Sequence, residues 1–117
     1  MKFITAILAL CFVQTAFAHT EATNLDTGAT MICLNPLTQV RYNLEVGDKA
    51  LEIGTVSVTT AGVTDTFDAV VINREFQWTD GSGAPHTLTI SETGFWKLKL
   101  ATLNDGTKSS PITCLVQ

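Results

Sequence analysis

Alternation of apolar and polar residues is the strongest pattern in this chain. From Gln39 to Val46, apolar residues occupy every second position, with polar or charged residues between them. A period of two places one face of an extended strand in the core and the other in water. Similar runs recur between turn signals such as Asn35-Pro36, Asp80-Gly81-Ser82-Gly83 and Asn104-Asp105-Gly106. The pattern predicts about seven or eight short strands and no helix.

Two segments after this strand carry local predictions. The apolar positions change parity between Ile53 and Val56, and Gly54 lies between them. We expect a bulge or bend at Gly54 that returns the strand to the inward face. From residue 67 to residue 72 the chain is almost continuously apolar. Such a run predicts a central strand that is covered on both faces.

The second half of the chain predicts a hairpin and one further alternating strand. The flexible turn at residues 80–83 indicates that residues 74–78 and 86–90 pair as a hairpin. Downstream, apolar and lysine residues alternate, which predicts an inward face and a solvent face. The inward set is Trp96, Leu98 and Leu100, and the solvent set is Lys97 and Lys99.

These elements predict the fold class and the domain organisation. Short antiparallel strands with frequent turns describe a sandwich or a small barrel, and we favour an immunoglobulin-like β-sandwich. The sandwich is expected over residues 29–117, because residues 19–28 are mostly polar and indicate a flexible N-terminal arm. The length after the arm suits one domain and one core.

The first 18 residues have the pattern of a cleaved signal peptide. Lys2 precedes an uncharged apolar run, and the segment closes with Ala16-Phe17-Ala18, the small-x-small pattern that signal peptidase accepts. The apolar run is shorter than the ~20 residues that a membrane span requires. We therefore expect a secreted, extracellular protein that begins at His19 and has no membrane span.

Two cysteines remain after removal of residues 1–18, Cys33 and Cys114. An even number of cysteines in a secreted protein predicts a disulfide, and only one pairing is possible. The same removal leaves six Lys and Arg against eleven Asp and Glu. An acidic surface repels phosphate groups, so nucleic-acid binding is not expected.

Aromatic residues in the second half are candidates for a binding surface. Trp78 precedes the flexible turn that begins at Asp80, and Phe95 is expected on the opposite face from Trp96. An exposed aromatic ring on a sheet can stack on a sugar or anchor a protein partner. We therefore name Phe95, Trp78 and Asp80 as candidate binding residues.

The two histidines of the chain suggest a possible metal site. His19 would carry both an imidazole and a free α-amine, and His86 is the other histidine. A small β-domain that begins with His is similar to periplasmic copper-carrier proteins of the CopC type, and Gly94-Phe95-Trp96 and Ser110-Pro111-Ile112 resemble their C-terminal region. The resemblance implies copper bound through His19, although Ser110 replaces the family's histidine.

A short motif near the start of the domain resembles a protease signature. Leu25-Asp26-Thr27-Gly28-Ala29 is similar to the Asp-Thr-Gly-Ala motif of retropepsin-type aspartic proteases. That chemistry needs two carboxylates that share a proton, each placed by strands on both sides. Only seven residues would precede Asp26 after cleavage. We interpret this motif as a turn.

In its overall organisation, the chain resembles the small secreted effector proteins of plant-pathogenic fungi. The shared features are a signal peptide, a short mature domain and one disulfide that joins its ends. The resemblance implies virulence through binding of a host protein. Our expectation is a non-enzymatic secreted binding protein without a cofactor. The alternatives are a carbohydrate-binding or cell-surface adhesion module, and a copper-binding protein.

Overall fold

Eight antiparallel strands form one continuous sheet in the computed structural model, which describes residues 25–95 and 97–117. Each strand pairs with the next along the chain, and the last pairs with the first, so the sheet closes into a barrel. The strands are β1 (Thr30–Leu34), β2 (Arg41–Asp48), β3 (Ile53–Thr60), β4 (Val63–Ile72), β5 (Glu75–Thr79), β6 (Pro85–Phe95), β7 (Leu98–Asn104) and β8 (Ser109–Val116).

The predicted immunoglobulin-like sandwich is wrong, because the strands form a single closed sheet. β1 pairs directly with β8, with Met31 opposite Val116 and Leu34 opposite Thr113. A sandwich and a barrel both bury every second residue of each strand, so alternation does not distinguish them. The pairing of the first strand with the last is what separates the two architectures.

The inward side chains of the strands fill the barrel. In β2 the predicted alternation is confirmed: Tyr42, Leu44 and Val46 are buried, whereas the residues between them are exposed. In an eight-stranded barrel the interior is just wide enough for side chains to fill it. The largest fully buried side chains are those of Phe76, Met31, Leu44, Leu88, Val46 and Val56.

The bulge predicted at Gly54 is not found at this residue. The register shift lies in the facing strand, between Val46 and Asp48. Gly54 itself is inward, and a Cβ there would lie 2.5 Å from the Glu45 carbonyl oxygen and 2.7 Å from Val71 Cγ2. The glycine is required by this close approach, and Ile53 before it is 49% exposed.

Two further orientation predictions fail, in β4 and in β7. Val70 and Ile72 face solvent, because a single-layer barrel has no second sheet to cover its outer face. In β7 the inward residues are Lys99, Ala101 and Leu103, and the predicted inward residues Leu98 and Leu100 are exposed. This strand carries apolar residues at both parities, so alternation alone did not define its inward face. Trp96 lies outside the described residues.

The predicted disulfide is confirmed. Cys33 and Cys114 are directly opposite each other on β1 and β8, with their Cα atoms 3.9 Å apart. Both side chains are fully buried. The covalent bond therefore joins the two strands whose pairing closes the barrel.

The described chain begins in contact with the barrel. Leu25 belongs to the core, and the Gly28 amide donates to the Val46 carbonyl oxygen at 2.8 Å. The Lys49 amide donates to Thr27 Oγ1 at 2.9 Å. The predicted signal peptide and residues 19–24 of the predicted arm lie outside the described residues. No helix in the described part of the chain has the length and hydropathy needed to cross a bilayer.

Candidate functional site

One end of the barrel carries a cavity of about 260 Å³, which we call the mouth cavity. The turns β1–β2, β3–β4, β5–β6 and β7–β8 lie at this end, because the strands run alternately up and down. The residues that matter for its chemistry are three aromatic residues, two carboxylates and one imidazole. They are Tyr42, Phe67 and Trp78, Asp65 and Asp80, and His86.

The cavity exists because β4 and β5 separate towards this end. β3 and β4 remain paired as far as Thr60 and Val63. β4 and β5, in contrast, pair only over residues 70–72 and 75–77. The inward side chains of the β3–β4 hairpin, including Asp65 and Phe67, therefore form one wall of an open mouth.

Asp80 organises the β5–β6 turn beside the cavity. Its Oδ1 accepts hydrogen bonds from the Ser82 hydroxyl at 2.6 Å, the Ser82 amide at 2.8 Å and the Ala84 amide at 3.0 Å. Its Oδ2 lies 2.8 Å from His86 Nε2, which must be the donor when the carboxylate is ionised. The Ser82 side chain, then His86, and then the backbone amides hold the pKa of Asp80 well below its usual range. Asp80 therefore carries a stable negative charge at the mouth.

Three aromatic rings lie in contact behind Asp80. The His86 imidazole is stacked on Trp78, with ring centroids 5.3 Å apart and an interplanar angle of 9°. Tyr42 approaches Trp78 at 6.2 Å with an angle of 55°. Burial, and secondarily the charge of Asp105, raise the pKa of Tyr42, which keeps its hydroxyl protonated. Trp78 is only 5% exposed, so its ring is not a free platform for a sugar.

The structure brings together three of the residues proposed from the sequence. Trp78, Asp80 and His86 adjoin one another at the mouth through the β5–β6 hairpin, whose pairing is confirmed. His19 lies outside the described residues, and the side chain of Phe95 is not described. The predictions for these two positions therefore remain predictions.

Sequence reasoning missed Tyr42, Asp65 and Phe67 as site residues. Tyr42 is far from the β5–β6 turn along the chain, and Asp65 and Phe67 lie on the neighbouring strand β4; the curvature of the sheet places all three at the same mouth. One local signal was present in the sequence. Asp65 is a charged residue at an inward parity between Val63 and Phe67, and such a position at a strand end points to a cavity rather than to a core.

A metal site is not evident in the described part of the chain. Within residues 25–95 and 97–117, no group of three or more His, Cys, Asp or Glu side chains is arranged to hold a metal ion. His86 already donates to Asp80 through Nε2. Copper binding through His19 stays untested.

The Ser82, Asp80 and His86 side chains are close together but are not arranged as a nucleophilic relay. Ser82 lies close to the Asp80–His86 pair, but its hydroxyl donates to Asp80 Oδ1. A serine nucleophile needs the imidazole as its base, with the carboxylate on the other side of the imidazole.

Comparisons with protein-family models, with curated proteins and with solved structures each found no match to this chain.

Proposed function

We propose that this protein is a secreted, non-enzymatic binding protein that holds a protein partner at the mouth of its barrel. The observation that carries the proposal is the mouth cavity itself, which has an aromatic lining and two carboxylates. Ligand sites in proteins are typically concave, largely apolar and equipped with a few fixed polar groups. The fixed polar groups here are Asp80 and His86, which are hydrogen-bonded to each other, and His86 is held in place by stacking on Trp78.

A protein partner is favoured over a sugar because the largest aromatic ring at the mouth is covered by neighbouring side chains. Trp78 is covered by His86 on one side and approached by Tyr42 on another, so it cannot stack on a sugar ring. Phe67 is only half-buried at the rim and can contact an inserted side chain. Accessible aromatic side chains such as this one contribute strongly to the energetics of protein interfaces.

Export and a role as a pathogen effector form the second part of the proposal. The signal-peptide pattern over residues 1–18 supports export. The Cys33–Cys114 bond is compatible with an oxidising compartment. The effector role itself rests only on the resemblance in plan to small secreted fungal effectors, and it implies that the partner is a host protein.

The test is paired capture with two charge-reversal variants. Tagged protein comprising residues 19–117 is used to capture partners from a host tissue extract, beside Asp65→Lys and Glu45→Lys. Both substitutions replace an exposed carboxylate on a strand, but only Asp65 lines the mouth. The proposal predicts a partner that the wild type and Glu45→Lys retain and that Asp65→Lys loses.

Three outcomes would count against the proposal. Equal capture by all three proteins would place the binding surface away from the mouth. Recovery of no partner above an unrelated bait would argue against a host-directed binder. Specific retention on a glycan array by the wild type but not by Asp65→Lys would replace the protein partner with a carbohydrate.

A further inference from the structure

Among the described residues, the part of β4 beside the mouth cavity has a free edge, because no strand pairs with it on the β5 side. The Val71 amide donates to the Glu52 carbonyl oxygen at 2.9 Å, on the β3 side. Because backbone groups of successive strand residues point to opposite sides, those of Thr64, Thr66 and Asp68 point away from β3, towards β5. The pairing of β4 with β5 covers only residues 70–72.

This free edge is long enough to accept another strand. Among the described residues, β5 has no register partner for the stretch of β4 from Val63 to Ala69. All three residues whose backbone faces this side are exposed. An unpaired edge offers a row of amide donors and carbonyl acceptors to any extended chain. Recognition by strand addition uses such an edge for affinity and an adjacent pocket for specificity.

The mouth cavity next to this edge determines which side chain of an added strand can be accommodated. Asp65 and Asp80 line the mouth cavity, and no lysine or arginine does so among the described lining residues. Phe67 and Tyr42 offer aromatic surface in the same cavity. A cation that approaches aromatic rings next to carboxylates is stabilised by both interactions.

We propose that an extended, basic segment of a partner protein adds as a ninth strand along the free edge of β4 and inserts a lysine or arginine side chain into the mouth cavity. This inference rests on the proposed function and specifies its partner. The peptide backbone bonds to the Thr64, Thr66 and Asp68 backbone groups. Its basic side chain neutralises the charge of Asp65.

A second copy of this chain is a poorer occupant of the edge. Edge-to-edge pairing of two β4 strands would bring Asp65 and Asp68 of each copy near the same carboxylates of the other. Like charges across a strand pair are destabilising. The acidic character of the whole chain adds to this repulsion.

The test uses blocked heptapeptides of sequence Thr-Val-Thr-Xaa-Thr-Val-Thr, in which Xaa is arginine, lysine, leucine or glutamate. Dissociation constants are measured by fluorescence anisotropy against the wild type, Thr66→Pro and Thr66→Val. Both variants lose the Ser57 Oγ–Thr66 Oγ1 hydrogen bond of 3.0 Å. Only proline removes the edge amide, at a place where an edge strand tolerates it.

The arginine and lysine peptides are expected to bind at least tenfold more tightly than the glutamate peptide. Thr66→Pro should weaken their binding at least tenfold, and Thr66→Val should leave it within threefold of the wild type. Asp65→Asn should reduce the preference for a basic residue. Circular dichroism and melting curves of all the variants establish that they are folded.

Several results would overturn strand addition. One is equal binding by Thr66→Pro and Thr66→Val, and another is the absence of binding by every peptide. A wild-type dimer that Thr66→Pro dissociates would identify a second copy as the occupant. If binding depends on Asp65 but not on the Thr66 amide, strand addition fails while the mouth remains the binding site. The proposed function is tested separately by the capture experiment, in which equal capture by the wild type, Asp65→Lys and Glu45→Lys would contradict it.

Discussion

Lys99 is the charged side chain that the barrel buries most deeply among the described residues, with 5% of its surface exposed. It lies opposite Gly94 on β6 and Cys114 on β8. A buried charge is costly unless it is paired, and the ammonium group of Lys99 forms no hydrogen bond or ion pair with another described side chain.

Replacing Lys99 with methionine should therefore stabilise the protein. Methionine has a similar length, fills irregular core space and carries no charge to desolvate. We expect Lys99→Met to raise the free energy of unfolding by roughly 1–3 kcal/mol, measured by urea denaturation. Lys97→Met, at the neighbouring exposed position, is the control. A loss of stability in Lys99→Met would show that the ammonium group has a stabilising partner.

Asp105 gives the β7–β8 turn a pH-dependent stability. Its Oδ1 accepts hydrogen bonds from the Thr107 amide at 3.0 Å, the Lys108 amide at 3.0 Å and the Thr107 hydroxyl at 2.8 Å. These bonds, the Thr107 amide first, lower the pKa of Asp105 to about 2. A lowered pKa means that the contribution is complete above the unfolded-state pKa of about 4 and is lost as the pH falls towards 2.

We expect Asp105→Ala to melt below the wild type at pH 7, with a difference that shrinks as the pH falls from 4 to 2. Melting temperatures at several pH values measure this directly. Ser109→Ala, a neutral change beside the same turn, should give a difference that does not follow the titration of Asp105. A constant gap between wild type and Asp105→Ala at all pH values would contradict the role of the ionised carboxylate.

At the scale of the strand, β2 offers a direct test of which face lies inward. Leu44 is 2% exposed and its neighbour Asn43 faces water. Leu44→Ala should cost about 2–5 kcal/mol through lost burial and a residual cavity. Asn43→Ala should change stability by less than about 0.5 kcal/mol. Chemical denaturation of the two variants measures the contrast, and equal values would contradict the assigned face.

Individual strands were more predictable than their assembly. The alternation in β2 and the turn at residues 80–83 identified a strand and a hairpin, because both depend on neighbouring residues. In β7 the same rule failed, since apolar residues occupy both parities and only packing selects Ala101 and Leu103. Barrel closure depends on the pairing of the two terminal strands, which no local pattern encodes. Of the residues at the mouth, the sequence singled out Trp78 and Asp80 as candidate binding residues and His86 as a candidate copper ligand, because these lie in or beside one local turn.

At the scale of the whole molecule, the Cys33–Cys114 bond secures the pairing that closes the barrel. The two residues are 81 positions apart in sequence, so the bond removes much of the entropy of the unfolded chain. We expect the double variant Cys33→Ala, Cys114→Ala to lose about 4 kcal/mol of unfolding free energy. Denaturant midpoints of the oxidised protein, the reduced protein and the double variant give the measurement. A loss below about 1 kcal/mol would mean that the β1–β8 hydrogen bonds suffice without the bond.

Two of the surfaces formed by the described residues are compared as binding sites for a partner. One is the mouth with Asp65, Asp80 and the β4 edge. The other is the outer face of β7 and β8, where the exposed Leu98 and Leu115 lie directly opposite each other. Exposed apolar patches also mark protein interfaces. We propose that the partner binds at the mouth and not on the β7–β8 face.

Hydrogen–deuterium exchange of protein comprising residues 19–117, with and without the partner recovered by capture, distinguishes the two surfaces. Amide exchange reports which backbone segments are covered or ordered by a bound molecule. We predict slower exchange in residues 58–68 and 78–86, and unchanged exchange in residues 98–104 and 109–116. Protection of the β7–β8 face, with the mouth exchanging as in the free protein, would contradict binding at the mouth.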